Sequence, residues 1–178
     1  AASDVYKRQN SKLGATVTAQ RIAEVKFLRA HFYYKLITVF RKVPWIDEEV
    51  FKNNTQEKTP NDALTYQQLY EKIIADFKTA YDVLPETQSE RARAHKIAAA
   101  SYLAKCYLDL AWGDGYEQTT GVSHINPTDM QKVIDYTDAV VGSNYGYLED
   151  YGDIFLPEHK NSKESIFAVQ CSDYKDDN

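Results

Sequence analysis

The chain has 178 residues, of which 43% are hydrophobic and 26% are charged, as is typical of one soluble globular domain or of part of a larger one. Its net charge of −5, without any basic cluster, argues against nucleic acid as a partner. No apolar run approaches the roughly 18 residues that a membrane-spanning helix requires.

Aromatic residues are unusually frequent at 13%, and 14 of them are tyrosines. Tyrosine combines a flat apolar face with a polar tip, which suits packing between helices and equally suits contact with sugar-like ligands. The two cysteines, Cys106 and Cys171, lack the spacing of metal ligands, and no disulfide follows from two lone residues. Cys106 lies on the apolar face of a predicted helix, which predicts a core thiol.

The two ends of the chain lead to an expectation about its domains. Residues 1–9, AASDVYKRQ, contain neither a starting Met nor a signal-peptide pattern, and we expect a foreign or disordered leader. Residues 10–178 are expected to be part of a helical domain from a longer protein.

The first predicted helix runs from about Thr18 to Arg41 and is rich in aromatic residues. Its apolar residues recur every three or four positions, which predicts a single stripe facing the core. The stripe comprises Ile22, Val25, Leu28, Phe32, Leu36, Val39 and Phe40. Phe27, Tyr33 and Tyr34 widen the apolar arc, so more than one neighbour is expected to cover it. On this pattern, Phe32→Ala is expected to cost about 3–5 kcal/mol.

Three further helices are predicted from periodicity and end signals. The second, from about Thr65 to Leu84, begins with a capping box formed by Thr65 and Gln68. The third, from about Ala94 to Trp112, contains alanines that allow a neighbouring helix to approach closely. The fourth, from about Thr128 to Val141, begins with what reads as a second capping box, Thr128 to Gln131.

The connecting segments are polar, and the long stretch 113–127 is expected to be a loop with its own role. Residues 165–170, SIFAVQ, alternate in a way that is compatible with a short strand. The predicted fold is all-α. It consists of tetratricopeptide-like helical hairpins with long loops and at most a short strand near the C-terminus. The first helix is expected to pair with the second, and the third with the fourth.

Catalytic and metal-binding patterns are missing from the sequence. The four histidines are scattered without an HExxH motif, and there is neither GxSxG nor a phosphate-binding glycine loop. Carboxylates are plentiful, but a solvated acidic surface explains them as well as a glycosidase pair does. We therefore predict no catalytic residue, no metal ligand and no cofactor.

Aromatic residues at loop positions are the candidate ligand contacts. Sugar binding needs aromatic faces that stack on apolar C–H patches and polar groups that meet hydroxyls. Trp45 follows the first helix, Trp112 ends the third, and Tyr116 lies in the next loop beside Asp114 and Glu117. The alternative for both tryptophans is packing against the core.

Four stretches, in this order, resemble the conserved patterns of a known family. They are Glu24–Ile46 (EVKFLRAHFYYKLITVFRKVPWI), Tyr70–Pro85 (YEKIIADFKTAYDVLP), Arg93–Leu108 (RAHKIAAASYLAKCYL) and Tyr147–Gln170 (YLEDYGDIFLPEHKNSKESIFAVQ). They are similar to the patterns of the SusD/RagB family of glycan-binding outer-membrane lipoproteins. Two departures are local: Arg41-Lys42 replaces the usual Gly-Asp, and His95 stands where Thr is common.

The resemblance implies a fold of tetratricopeptide-like helix pairs and a surface glycan-binding subunit that is not an enzyme. It implies an oligosaccharide or polysaccharide fragment as ligand and a SusC-type TonB-dependent transporter as partner. It places the protein on the cell outer membrane of a Gram-negative member of the Bacteroidota. The implied lipid anchor is N-terminal and outside this sequence. From the residues alone, a helical-repeat protein-interaction scaffold without sugar binding is the alternative, and a glycoside hydrolase comes third.

Overall fold

The computed structural model describes residues 14–53, 55, 58–90, 92–112 and 125–169. Within these ranges the chain forms five α-helices, two short 3₁₀ helices and no strand. The helices are α1 (Ala15–Phe40), α2 (Glu48–Lys52), α3 (Tyr66–Val83), α4 (Lys96–Ala111) and α5 (Pro127–Val141), and the 3₁₀ helices are Tyr151–Phe155 and Pro157–His159. The all-α prediction is confirmed. Residues 1–9 lie outside the described ranges, and their assignment as a leader stays a prediction.

The first predicted hairpin, which pairs α1 with α3, is confirmed. Lys26 Nζ on α1 lies 3.3 Å from Thr79 Oγ1 on α3. About two turns further along α1, the ring of Tyr34 lies 6.4 Å from that of Tyr70. Later residues of α1 thus lie beside earlier residues of α3, so the two helices are antiparallel.

The second predicted hairpin, α4 with α5, is confirmed in the same way. The carbonyl of Ala111 accepts a hydrogen bond from the amide of Asn126 at 2.6 Å, and the rings of Tyr107 and Tyr136 stack at 5.9 Å. Between the hairpins, α3 packs against α4. The consecutive helices therefore form one antiparallel stack.

The helix ends show which capping signals the chain uses. At α3 the predicted capping box is present: Thr65 Oγ1 accepts from the amide of Gln68 at 3.2 Å, and Gln68 Oε1 accepts from the amide of Thr65 at 2.9 Å. The second predicted capping box is wrong. Asn126 caps α5 instead, through a 3.0 Å hydrogen bond from the amide of Thr128, and Pro127 is the first helical residue. Proline is favoured there because its φ is already helical and it has no amide to satisfy.

The face of α1 that packs on the core is not the predicted one. Its buried residues are Ala23, Phe27, Ala30, His31 and Ile37. The predicted stripe lies largely in solvent, with Phe32 60% exposed and Val39 72% exposed. The apolar periodicity indicated the wrong face for the core, because both faces of α1 are apolar and because two of its five buried residues are small alanines. The expected cost of about 3–5 kcal/mol for Phe32→Ala therefore does not hold for the described part of the chain.

The core is centred on aromatic rings from several elements. The ring of Phe27 on α1 lies 5.4 Å from that of Phe77 on α3 and 5.0 Å from that of Phe167. Residues 165–169 are irregular rather than a strand, because no second strand is present in the described ranges to pair with them. Cys106 is fully buried as predicted, and this burial raises the pKa of its thiol.

Candidate functional site

Trp45, the first candidate ligand contact, lies in the core. Its side chain is only 6% exposed, and the ring of Tyr33 lies 4.3 Å from it. The guanidinium of Arg29 lies 5.1 Å from the ring centre, and the Lys72 ammonium lies 5.5 Å from it. The Tyr33 hydroxyl also accepts a hydrogen bond from the amide of Ile46 at 2.8 Å, which fixes the chain after α1. In this arrangement Trp45 packs against the core, the alternative considered for it.

Trp112, the second candidate, is different because it remains 43% exposed at the end of α4. Near Trp112, the amide of Asn126 donates a hydrogen bond to the carbonyl of Ala111, which brings the start of α5 to the end of α4. The other three candidates, Asp114, Tyr116 and Glu117, lie outside the described residues. Their grouping with Trp112 therefore stays a prediction.

A pocket of about 250 Å³ lies on another part of the surface and was not predicted from the sequence. One wall comes from the α3–α4 connection and the other from the segment that follows α5. Its lining includes the polar side chains of Gln88, Glu90, His95, Asn144, Tyr145 and Lys163. Hydrogen-bonding groups of this kind suit a small polar ligand with several hydroxyls.

His95 connects the two walls of this pocket. Its ring is 3% exposed, and Nδ1 accepts a hydrogen bond from the amide of Ala98 at 3.3 Å, which caps α4. Nε2 therefore carries the proton and donates to the carbonyl of Ile166 at 2.8 Å. The ring stacks on Tyr145 at 5.6 Å with 8° between the planes. Threonine, common at this position in the family patterns, would also cap the helix. Histidine adds the link to Ile166.

Burial disfavours the protonated form of two histidines, His95 and His31. It lowers the pKa of His95, against the opposing effect of the Ile166 hydrogen bond. It also lowers the pKa of His31, and the positive charges of Lys35 and Lys105 act in the same direction. The unfolded chain binds protons below about pH 6.5 that the folded chain excludes. Stability from these groups is therefore present above pH 6.5 and is lost as the pH falls.

We expect the melting temperature to fall as the pH is lowered from 7.5 to 5.5, a window above the range in which ordinary carboxylates titrate. The variant His95→Thr keeps a capping side chain and removes one titrating group, so its melting temperature should fall less steeply. Circular dichroism melts at several pH values measure both slopes. Parallel curves for the two proteins would show that His95 does not contribute to the acid sensitivity.

A partly buried polar network joins three helices of the stack. Asp109 Oδ2 on α4 accepts hydrogen bonds from the hydroxyls of Tyr70 at 2.7 Å and Tyr34 at 3.1 Å. Tyr66 donates to the Tyr70 hydroxyl at 2.9 Å. Burial is the main cause that raises the pKa of Tyr70, and its neighbours Tyr66 and Asp109 add to the effect. Burial also raises the pKa of Tyr34, and Asp109 again acts in the same direction. Both hydroxyls therefore stay protonated and donate, and the network is structural.

Across the described ranges, no group of three or more His, Cys, Asp and Glu side chains is placed to hold a metal ion. None of the helices in those ranges has the length and apolar character needed to cross a bilayer.

Comparison with known families decides where the chain belongs. A SusD-like family, described as starch-binding and associating with the outer membrane, matches residues 5–108. The chain belongs to the SusD-like family. That description names binding and no catalytic activity. This family is one of carbohydrate-binding proteins rather than enzymes.

Individual relatives are longer than this chain. A SusD-like protein of Bacteroides ovatus is 29% identical over 169 residues, which are 93% of this chain and 29% of the relative. The starch-binding protein SusD of Bacteroides thetaiotaomicron is 28% identical over 154 residues, covering 85% of this chain and 24% of that protein. The chain thus spans less than a third of the length of these SusD-like relatives.

Solved structures share the fold. One crystal structure with a xylogluco-oligosaccharide superposes with a TM-score of 0.73 at 22% identity, covering 96% of this chain and 33% of that one. A SusD-like protein from Bacteroides fragilis superposes with a TM-score of 0.71 at 24% identity, covering 90% of this chain and 29% of that one. At these identities the likeness establishes the helical fold.

Proposed function

We propose that the full-length protein is a surface glycan-binding subunit of a TonB-dependent nutrient uptake system. The match of residues 5–108 to a family described as starch-binding and outer-membrane-associated carries this proposal. A relative named for starch binding and a solved structure of the same fold with a xylogluco-oligosaccharide support a glycan ligand. The ligand class is an oligosaccharide or polysaccharide fragment.

The proposed partner is a SusC-type TonB-dependent transporter, and the proposed location is the outer face of the outer membrane of a member of the Bacteroidota. A lipid anchor at the N-terminus of the full-length protein would hold it there. Purification of the tagged full-length protein from membranes in mild detergent tests the assembly. The transporter should co-purify, and its absence from the purified material would contradict the partner. A helical-repeat scaffold without sugar binding, the alternative, predicts no binding on a glycan array.

Within this chain, we place the first ligand contact at Trp112. Its half-exposed indole stands at the end of α4, directly before Asp114, Tyr116 and Glu117 in the sequence. An indole face stacks on the C–H face of a sugar ring, and the neighbouring carboxylates would accept hydroxyl hydrogen bonds. Trp45 contributes only through the core in this proposal, because its ring is occupied by protein neighbours.

Trp112→Ala in the full-length protein is expected to weaken glycan binding by about 1–1.5 kcal/mol, or about tenfold in Kd, because the stacking face is lost. Calorimetry with maltooligosaccharide, a fragment of starch, and with xylogluco-oligosaccharide measures the change. Tyr147→Ala is the matched control, since Tyr147 is 86% exposed and lies outside the proposed contact. If Trp112→Ala melts like the parent protein and binds either glycan with unchanged affinity, the contact lies elsewhere.

A further inference from the structure

The exposed side of α1 carries a continuous apolar surface, which we call the outer face of α1. It consists of Val25, Leu28, Phe32, Leu36, Val39 and Phe40. Their exposed fractions range from 39% to 72%, and the residues recur every three or four positions. At 1.5 Å per residue, the face extends about 22 Å along the helix.

A helix that is apolar on two opposite sides is typical of a helix buried between two layers. One layer is present in the described chain, because Phe27 and Ile37 are fully buried against the core. The opposite side has no cover among the described residues, although it includes two phenylalanines that are 60% and 65% exposed. Extended apolar patches of this kind mark surfaces that bind other protein. A second layer over α1 is therefore missing from this arrangement.

The later part of the chain reaches α1 at the edge of this face. The ring of Phe167 lies 5.6 Å from that of His31, and the ring of Phe32 lies 5.4 Å from the same imidazole. Residues 166–167 pack against the core. The part of the chain that follows α5 thus comes next to the outer face of α1. The chain at residue 167 is therefore already close to the surface that a further segment would cover.

The length of the relatives indicates that such a segment exists. This chain matches only 29% of the B. ovatus protein and 24% of the B. thetaiotaomicron protein. Polypeptide in the same molecule is held at an effective concentration in the millimolar range. A second copy or a separate partner must instead overcome the loss of translational and rotational freedom on association. Cover from within the molecule is therefore favoured.

We propose that the outer face of α1 is an internal interface, covered in the full-length protein by an apolar segment that lies outside these 178 residues. The segment presents aliphatic and aromatic side chains, and no charged group, to Phe32, Leu36 and Val39. In the complete molecule α1 is thus a central helix, with the α3–α4 side of the stack on one side and the covering segment on the other. This role does not depend on glycan binding.

Glutamate substitutions in the full-length protein test this assignment. Phe32→Glu and Val39→Glu should each lower the melting temperature by about 5 °C or more, because a carboxylate would be buried without a partner. The control is Ala75→Glu, at an exposed position on α3, where glutamate is a good helix former. It should change the melting temperature by about 1 °C or less. Light scattering after gel filtration should show a monomer in every case.

Two results would overturn the proposal. If both glutamate variants melt like Ala75→Glu, the face is open to solvent. If the parent protein is a dimer and Phe32→Glu makes it a monomer, a second copy covers the face. Where a glutamate variant does not fold, Phe32→Ala and Val39→Ala provide the same comparison, since each would leave a cavity only at a covered site. Unchanged glycan affinity in a destabilised but folded variant keeps this result separate from the ligand-binding proposal.

Discussion

Replacing Phe27 by alanine is expected to lower the free energy of unfolding by about 3–5 kcal/mol. Phe27 is fully buried, and its ring meets those of Phe77, Tyr102 and Phe167 at 5.4, 5.8 and 5.0 Å. The cavity would open where α1, α3, α4 and the late segment meet, so no single element can relax to fill it. Urea unfolding followed by circular dichroism measures the loss as a lower midpoint with an unchanged slope.

The control for this substitution removes an aromatic ring of similar size from solvent. Tyr147 is 86% exposed, so Tyr147→Ala should change the free energy of unfolding by no more than about 0.5 kcal/mol. A loss below about 1 kcal/mol for Phe27→Ala would contradict the central position assigned to this ring.

Asp76→Leu is expected to cost about 3–5 kcal/mol, because it leaves a largely buried guanidinium without its main partner. Arg29 Nε and one terminal nitrogen donate to the two oxygens of Asp76 at 2.6 and 2.9 Å. The side chains of Asp76 and Arg29 are only 5% and 20% exposed. Burial by itself lowers the pKa of Arg29, but hydrogen bonds and charge attraction from Asp76 and Glu48 together raise it, so its charge persists at any ordinary pH.

A double variant tests whether the charges of Arg29 and Asp76 affect the stability of the protein as a pair. Arg29→Met with Asp76→Leu replaces both charges by apolar groups and should recover most of the stability that Asp76→Leu loses. Glu48 Oε2 also lies 3.0 Å from Arg29, but the Glu48 side chain is 51% exposed and holds the guanidinium only weakly. Equal stability of the single and double variants in urea unfolding would mean that the two charges are not coupled.

The helical architecture was predictable wherever a helix has one apolar face. In α3 the capping box that begins with Thr65 is present, and the apolar residues that recur every three or four positions are buried: Tyr66, Leu69, Tyr70, Ile73, Phe77 and Ala80. In α1 periodicity indicated a helix but not its orientation, because apolar residues occupy both sides. At α5 two capping signals lie within a few residues, and Asn126 with Pro127 prevails over Thr128.

The polar sites were less predictable because they depend on contacts between distant parts of the chain. Tyr145 stacks on His95 from 50 positions away, and neither residue belongs to a local motif. The third helix was predicted to begin at about Ala94, which would put His95 inside it, so no local signal marked His95 as the cap of α4. Trp45 and Trp112 read alike in the sequence, yet the neighbours of Trp45 on α1 and α3 bury it.

The contact between Phe27 and Phe167 has a consequence for the order of folding. The four long helices pair in the order of the sequence, and such pairing is fast because the loops that must close are far shorter than the separation between Phe27 and Phe167. Phe167 instead reaches a ring 140 positions earlier in the chain. Closing so long a loop costs more entropy, and the helical stack must exist before the contact has a surface to form on. We therefore expect docking of the late segment to be the last step of folding and its release the first step of unfolding, which native-state hydrogen exchange would detect as opening of this segment before the helical stack.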